Sequence, residues 1–302
     1  MVGDYSTEPK KVIQTKTRKI YTFGINGENT DEKVIQEFGE EWSKFSKFTD
    51  KSINDIAREY FDILDERIVN QNTYAIDIGC GTGRWTKYLA SRAGFVEAVD
   101  PSDAIFVADR LLNDVKNVRL SQASVDTLPF PDDIFDFAMS VGVLHHIPDT
   151  QKAMTACVKK IKPGGYFYVY LYYNLDERGI FYKALFQAAD LIRNFVSRLP
   201  SGIKKAVCDV LAVVIYMPLI CLSRLTHFLG LKKLVGKIPL SAYSNKPFYI
   251  IRNDALDRFG TRLEQRFSKP EIEHMMASAG LEKIVVSDGM PYYHAIGRKS
   301  RV

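Results

Sequence analysis

The chain has 302 residues, of which 46% are hydrophobic and 25% charged; these are ordinary globular proportions, enough for one large elaborated core or two modest domains, and they exclude disorder throughout. Its four cysteines, Cys80, Cys157, Cys208 and Cys221, form no CxxC pair and no metal-ligand spacing, so neither a disulfide framework nor a metal site is expected and a reducing cytoplasm fits. The net charge of +5 is uneven: residues 191–247 hold nine Lys or Arg against one acidic residue, Asp209, a local +8 that leaves −3 elsewhere.

In chain order, MVGDYSTEPKKVIQTKTRKIY scatters charges where an export signal needs a continuous apolar stretch, so no such signal is expected. The first 20 or so residues and the last few are expected to fray. EKVIQEFGEEWSKF and SINDIAREYFDIL repeat apolar residues at three-and-four spacing and predict two amphipathic helices. Short runs rich in Val, Ile and Phe then predict strands near Tyr74–Ile78, Val96–Asp100, Val118–Gln122, Phe135–Val141 and Tyr166–Tyr172, with helices between them. That alternation is the pattern of βαβ units around a buried parallel sheet. It stops after Tyr173 for nearly 100 residues, until KPEIEHMMASAG, LEKIVVS and PYYHAIGRK supply one more helix and two strands. The expected organisation is therefore a tail and lid helix over 1–50, a core over 51–174, a mainly helical insertion or cap over 175–267, and a segment over 268–302 that completes the core.

The loop after the first predicted strand reads AIDIGCGTGRW, with Gly79, Gly81 and Gly83 where the chain must turn and admit a ligand to its backbone. A dinucleotide fingerprint needs its third glycine at position 84, where Arg84 stands, so a nicotinamide or flavin site is disfavoured. Asp100, 17 residues beyond Gly83, ends the second predicted strand, where a carboxylate accepts from both hydroxyls of a ribose. The plain alternatives are a glycine turn and a helix N-cap, although Pro101 and Ser102 are better suited to opening the next helix.

AIDIGCGTG, VDPSDA, SQASVDTLPFPDDIFDFAMSVGVLHHIPD and KKIKPGGYFYVYLYY together resemble the successive motifs of class I S-adenosylmethionine-dependent methyltransferases, close to the group called type 11. The resemblance implies a Rossmann-like α/β fold, a seven-stranded mostly parallel sheet with an antiparallel last strand. It implies S-adenosylmethionine as cofactor, with Asp77 and the loop Gly79, Cys80, Gly81 and Gly83 facing the methionine part. Asp100 with Pro101 would face the ribose, Ser124, Val125 and Asp126 would border the adenine, and Ser140 joins this expected cofactor set. Where the family often has an acidic residue this chain has Ser124, which leaves open whether Ser124, Asp126 or backbone amides meet the adenine.

Methyl transfer from a sulfonium is an in-line displacement with an activated electrophile, so alignment and exclusion of water dominate, and a base is needed when the acceptor must lose a proton. His145 and His146, just past the fourth predicted strand, are the candidate catalytic residues, against a packing role in the loop. Trp42, Tyr172, Tyr173 and Tyr293 are the candidate acceptor-pocket residues, against plain aromatic packing. Arg252 and Arg262 suit either a clamp on an acidic acceptor or a solvated mixed-charge face.

Within AVCDVLAVVIYMPLICLSRL the uncharged run Val210–Ser223 is 14 residues long and contains Pro218, short of the roughly 18 to 20 that a bilayer crossing needs. It fits a buried helix capping the pocket, or an interfacial or dimer-forming element, and the flanking Lys204, Lys205, Arg224, Lys232, Lys233 and Lys237 favour an anionic surface. The expectation is a cytoplasmic methyltransferase, with peripheral membrane contact through 191–247 as one reading, acting on a small apolar or anionic molecule that is lipid-like or glycan-linked. Nucleic acid is disfavoured because the basic residues interleave with aliphatic runs. RNA or protein methylation, and cofactor binding without catalysis, stay open as alternatives.

Overall fold

A computed structural model describes residues 3–25, 27–42, 50–174 and 180–301. Two compact units emerge, residues 1–174 with 263–302 as a core unit and residues 175–262 as a helical unit.

The core unit begins with β1 (Lys11–Gln14) and β2 (Lys19–Thr22), followed by α1 (Glu32–Trp42) and α2 (Asp50–Tyr60). Then come β3 (Tyr74–Ile78), α3 (Arg84–Ala90), β4 (Phe95–Val99), α4 (Ala104–Leu111), β5 (Val118–Gln122), β6 (Phe135–Val141), α5 (Thr150–Lys159) and β7 (Ile161–Tyr170). Among the described residues one nine-stranded sheet results, in the order β1-β2-β5-β4-β3-β6-β7-β9-β8. β2 and β5 through β7 run parallel, while β9 (His294–Lys299) inserts antiparallel between β7 and β8 (Leu281–Val286). The antiparallel last strand agrees with the sequence expectation; the strand number does not.

The two extra strands come from the segment expected to fray. KVIQ and KIYT form an antiparallel hairpin whose second strand pairs with β5. Its turn carries no Asn-Gly or Gly-rich signal; instead Thr15 Oγ1 accepts from the amides of Thr17 (3.2 Å) and Arg18 (3.1 Å), a hydroxyl doing locally what glycine does conformationally. Ahead of it, the Gly3 amide donates to Tyr74 Oη, and Arg119 donates to the Gly3 carbonyl at 2.7 Å. Arg119 also forks onto Glu97 at 2.7 and 2.9 Å and lies 4.1 Å from the Tyr5 ring centroid. The N-terminus is thus held by a buried ion pair rather than left loose.

Alternation along the strands splits the core in two. On one face Ile76, Ile78, Phe135 and Phe167 pack with Met154 and Cys157 of α5 and with Ile272 and Met276 of α11 (Lys269–Ser278). On the other, Ala75, Val96, Leu120, Phe137 and Tyr168 pack with Trp85 and Leu89 of α3 and with Ile105 and Ala108 of α4.

The helical unit contains α6 (Ile180–Val196), α7 (Ser201–Leu211), a π-helical stretch Ala212–Tyr216, α8 (Met217–Phe228), α9 (Lys232–Val235) and α10 (Phe248–Gly260). It has its own small core of Val196, Cys208, Ala212, Tyr216, Ile220, Ile251, Ala255 and Phe259. From Gly202 to Phe228 the chain is one 27-residue helix, long and apolar enough to cross a bilayer, so the helix outruns the 14-residue uncharged stretch and Pro218 does not end it. The widened π turn directly before Pro218 accommodates a residue that has no N–H to donate and crowds the preceding turn.

Candidate functional site

The carboxyl ends of parallel strands share one edge of the sheet. β3, β4, β6 and β7 there deliver the Gly79–Gly83 loop, Asp100, the Gly142–His146 loop and Tyr172.

Gly79, Gly81 and Gly83 all have positive φ, at 79°, 52° and 80°. A Cβ on Gly79 would lie 2.5 Å from Val143, and one on Gly83 would lie 2.9 Å from Leu112, so both turns are closed by packing. A Cβ added at Gly81 would meet nothing within 4 Å; that open face is the cradle that a ligand would fill. The loop is tied down by Gly79 and Cys80 amides on the Val99 carbonyl (2.8 and 3.0 Å) and by the Gly81 amide on Asp100 Oδ2 (2.8 Å). The other Asp100 oxygen accepts from the Ser102 amide (2.9 Å) and hydroxyl (2.6 Å). Burial raises the Asp100 pKa and the Ser102 hydrogen bonds work against that rise.

Asp77 is 1% exposed and accepts one hydrogen bond, from Thr86 Oγ1 at 2.6 Å. Burial, reinforced by the Asp100 charge, pushes its pKa up to about 7. A buried carboxylate with a single neutral donor is a receptor for a cation. Were S-adenosylmethionine bound at this edge, Asp77 would be an acceptor for its ammonium, and the Asp100 carboxylate retains acceptor capacity for a ribose hydroxyl.

Other residues of the expected cofactor set have different engagements. Cys80 is buried with its thiol pKa raised by burial. Pro101 follows Asp100, and the Ser102 hydroxyl behind it accepts from the Ala104 amide at the start of α4 (3.2 Å). Ser124 caps the short 3-10 turn Val125–Thr127. Asp126 accepts from the Asn29 amide (2.8 Å) and Thr30 (3.4 Å), holding the N-terminal segment. Ser140 donates its hydroxyl to the Ile78 carbonyl at 2.9 Å and is fully buried, which joins β6 to β3.

Of the proposed pocket residues, Tyr172 and Tyr173 follow the end of β7 and have different neighbours. Tyr172 lies 4.0 Å from the His145 ring, whereas Tyr173 packs on Tyr292 and Tyr293 at 5.4 and 6.1 Å. Tyr293 is buried in the core. Tyr172 is thus with the histidines, and Tyr173 and Tyr293 are not. Trp42 ends α1, and its side chain lies outside the described residues.

The histidines differ sharply. His146 Nδ1 is 2.7 Å from the Leu263 carbonyl, an acceptor only, so that nitrogen carries the hydrogen and Nε2 is an acceptor in the neutral ring. His145 is fully buried and neither ring nitrogen has a partner among the described residues; burial first, then the charges of His146 and Arg266, holds its pKa far below the usual range.

Several contributors gave no sequence signal. The Phe38 ring of α1 lies 4.7 Å from the His146 ring, tilted by 55°, and at Gly39 an added Cβ would sit 3.2 Å from Ser102, so α1 reaches both the histidine loop and the Asp100 turn. The returning chain does the same work from the far end of the sequence. Gln265 donates its amide to the His145 carbonyl (2.9 Å) and its side chain to the Ile147 carbonyl (2.7 Å). Arg84, noticed in the sequence only as a missing glycine, lies 4.2 Å over the Trp85 ring.

Residues 76–169 match a family described as a methyltransferase domain. That stretch is thereby similar to S-adenosylmethionine-dependent methyltransferases. The chain is 28% identical over 154 residues to a ubiquinone biosynthesis O-methyltransferase of Marinobacter nauticus, covering 48% of this chain and 64% of that protein. It is 31% identical over 164 residues to a ubiquinone/menaquinone biosynthesis C-methyltransferase of Marinomonas sp., covering 51% and 65%. It therefore spans less than two thirds of the length of these relatives. The solved YcgJ protein of Bacillus subtilis aligns over 79% of this chain and 70% of its own, with 16% identity and a TM-score of 0.46.

Proposed function

We propose that this protein is a cytoplasmic enzyme that methylates a hydroxyl of a lipid-like small molecule, with His146 as the general base. The observation that carries the reading is the Nδ1 contact of His146 with the Leu263 carbonyl, which fixes the tautomer at the carboxyl edge of the sheet.

When bound, S-adenosylmethionine supplies a methyl group already activated on a sulfonium. Asp77, Gly79, Gly81, Gly83 and Asp100 would hold it, with backbone amides of 124–126 toward the adenine. The proton of an acceptor hydroxyl passes to His146 Nε2, which leaves the oxygen nucleophilic. His145, held neutral by burial, offers one donor and one acceptor to a polar group of the acceptor. Phe38, Tyr170 and Tyr172 provide aromatic walls that favour a flat, partly apolar acceptor. The names of the relatives, which refer to ubiquinone biosynthesis, support the same acceptor class, and four free cysteines support a reducing compartment.

The test is incubation of the purified protein with methyl-labelled S-adenosylmethionine and a boiled cell extract. Base-stable label in the organic phase that is lost in His146→Ala supports the reading. Label confined to RNA or protein overturns it.

A further inference from the structure

Helix Gly202–Phe228 has two unlike sides. Cys208, Ala212, Tyr216 and Ile220 recur every fourth residue and are fully buried in the core of the helical unit. The opposite side presents Val210, Val214, Leu222, Leu225 and Phe228 to solvent, with Val214 63% and Phe228 86% exposed. Leu191 and Phe195 of α6 are exposed as well. Apolar exposure on this scale within one small unit marks an interaction surface.

The charges around it are of one sign. Lys205, Lys232 and Lys233 are exposed, and the one acidic residue between 191 and 247, Asp209, is paired with Arg252 at 2.5 Å. A second copy of the chain on a two-fold axis would set these lysines against each other with no carboxylate to meet them. A bilayer crossing is disfavoured by the inner side, where Lys204, Ser223 and Thr226 are buried and Tyr216 donates to Asp254 at 2.5 Å. An apolar stripe with a basic fringe, on a helix whose other side is already packed, is the arrangement of a helix lying in an interface.

We propose that this face docks on an anionic phospholipid bilayer, with the aliphatic stripe in the headgroup and acyl boundary and the lysines on the phosphates. The docking draws on residues of the helical unit alone, so vesicle binding and methyl transfer fail separately.

The experiment is flotation of the full-length protein with vesicles of phosphatidylcholine alone or mixed with phosphatidylglycerol. S-adenosylhomocysteine binding and sedimentation velocity are followed on the same samples. Binding to the mixed vesicles that salt weakens is expected, reduced about tenfold or more by Leu222→Glu with Phe228→Glu and by Lys232→Glu with Lys233→Glu. Both pairs lie on the surface and keep cofactor binding if the protein is folded. The proposal is overturned by equal or absent binding to the two vesicle types. It is also overturned by resistance of the bound protein to alkaline extraction, which means spanning, or by an oligomer that Leu222→Glu with Phe228→Glu converts to monomer.

Discussion

Replacing Asp77 by Asn moves stability and cofactor affinity in opposite directions. In the folded protein burial and the Asp100 charge push the Asp77 pKa up to about 7, whereas an aspartate in an unfolded chain titrates near 3.9. The folded state therefore keeps a proton that the unfolded state releases, so stability falls as pH rises from about 4 and the whole deficit is present above about pH 7. Three units correspond to about 4 kcal/mol. Asn does not ionise and its carbonyl can still accept from Thr86, but its buried amide nitrogen needs an acceptor, a cost of about 1–3 kcal/mol. At pH 8 the variant is expected to be about 1–3 kcal/mol more stable, a rise of about 2–10 °C in Tm, and the advantage vanishes by about pH 5. Affinity for S-adenosylhomocysteine, whose ammonium loses a carboxylate partner, should fall about 10- to 100-fold. Thermal unfolding of the ligand-free protein at both pH values and calorimetric titration read the two effects. A variant less stable than wild type at pH 8, with unchanged affinity, would refute a cation-receiving role for Asp77.

Asp100→Ala removes the acceptor for the Gly81 amide as well as the expected ribose contact, and calorimetry should show affinity for S-adenosylhomocysteine reduced by about 1.5–3 kcal/mol. His146→Ala should lower kcat about 100-fold or more while cofactor affinity stays within about twofold; loss of both would make the residue structural. Gly79→Ala meets Val143 at 2.5 Å and should destabilise by about 2–4 kcal/mol in denaturant unfolding. Gly81→Ala has open space and should cost only the 1–2 kcal/mol of a left-handed backbone, yet abolish measurable cofactor binding. Arg119→Ala leaves Glu97, which is fully buried, without its ionic partner and should cost about 3–5 kcal/mol in the same unfolding assay.

Much of the cofactor edge was legible because its signals are local. The turns at Gly79, Gly81 and Gly83 have the positive φ that favours glycine, and Asp100 follows a short strand that is apolar except at Glu97; both properties are written within ten residues of the site. Phe38, Gln265 and Arg84 were not legible for the opposite reason. Phe38 is one apolar residue of an amphipathic helix, Gln265 one polar residue of a loop, and neither acquires a role until another segment arrives beside it. The N-terminal hairpin escaped because Thr15 closes its turn with a side-chain hydroxyl, a device with a far weaker sequence mark than Asn-Gly. Tyr172 and Tyr173, adjacent in sequence and grouped together on that ground, are separated beyond the end of β7, where Tyr172 meets the His145 ring and Tyr173 meets Tyr292 and Tyr293.

Periodicity and glycine spacing, acting over a few residues, determined the βαβ alternation and the glycine turns after β3, while the antiparallel last strand was implied by the resemblance. Tertiary structure alone decided the tautomer of His146, the burial and raised pKa of Asp77 and the polarity of the two sides of helix Gly202–Phe228. Each of these depends on a partner 50 or more residues away or on how deeply a group is removed from water: Leu263 for His146, and burial for Asp77 and the helix. Desolvation and long-range hydrogen bonds are properties of the packed chain, and no window of sequence contains them.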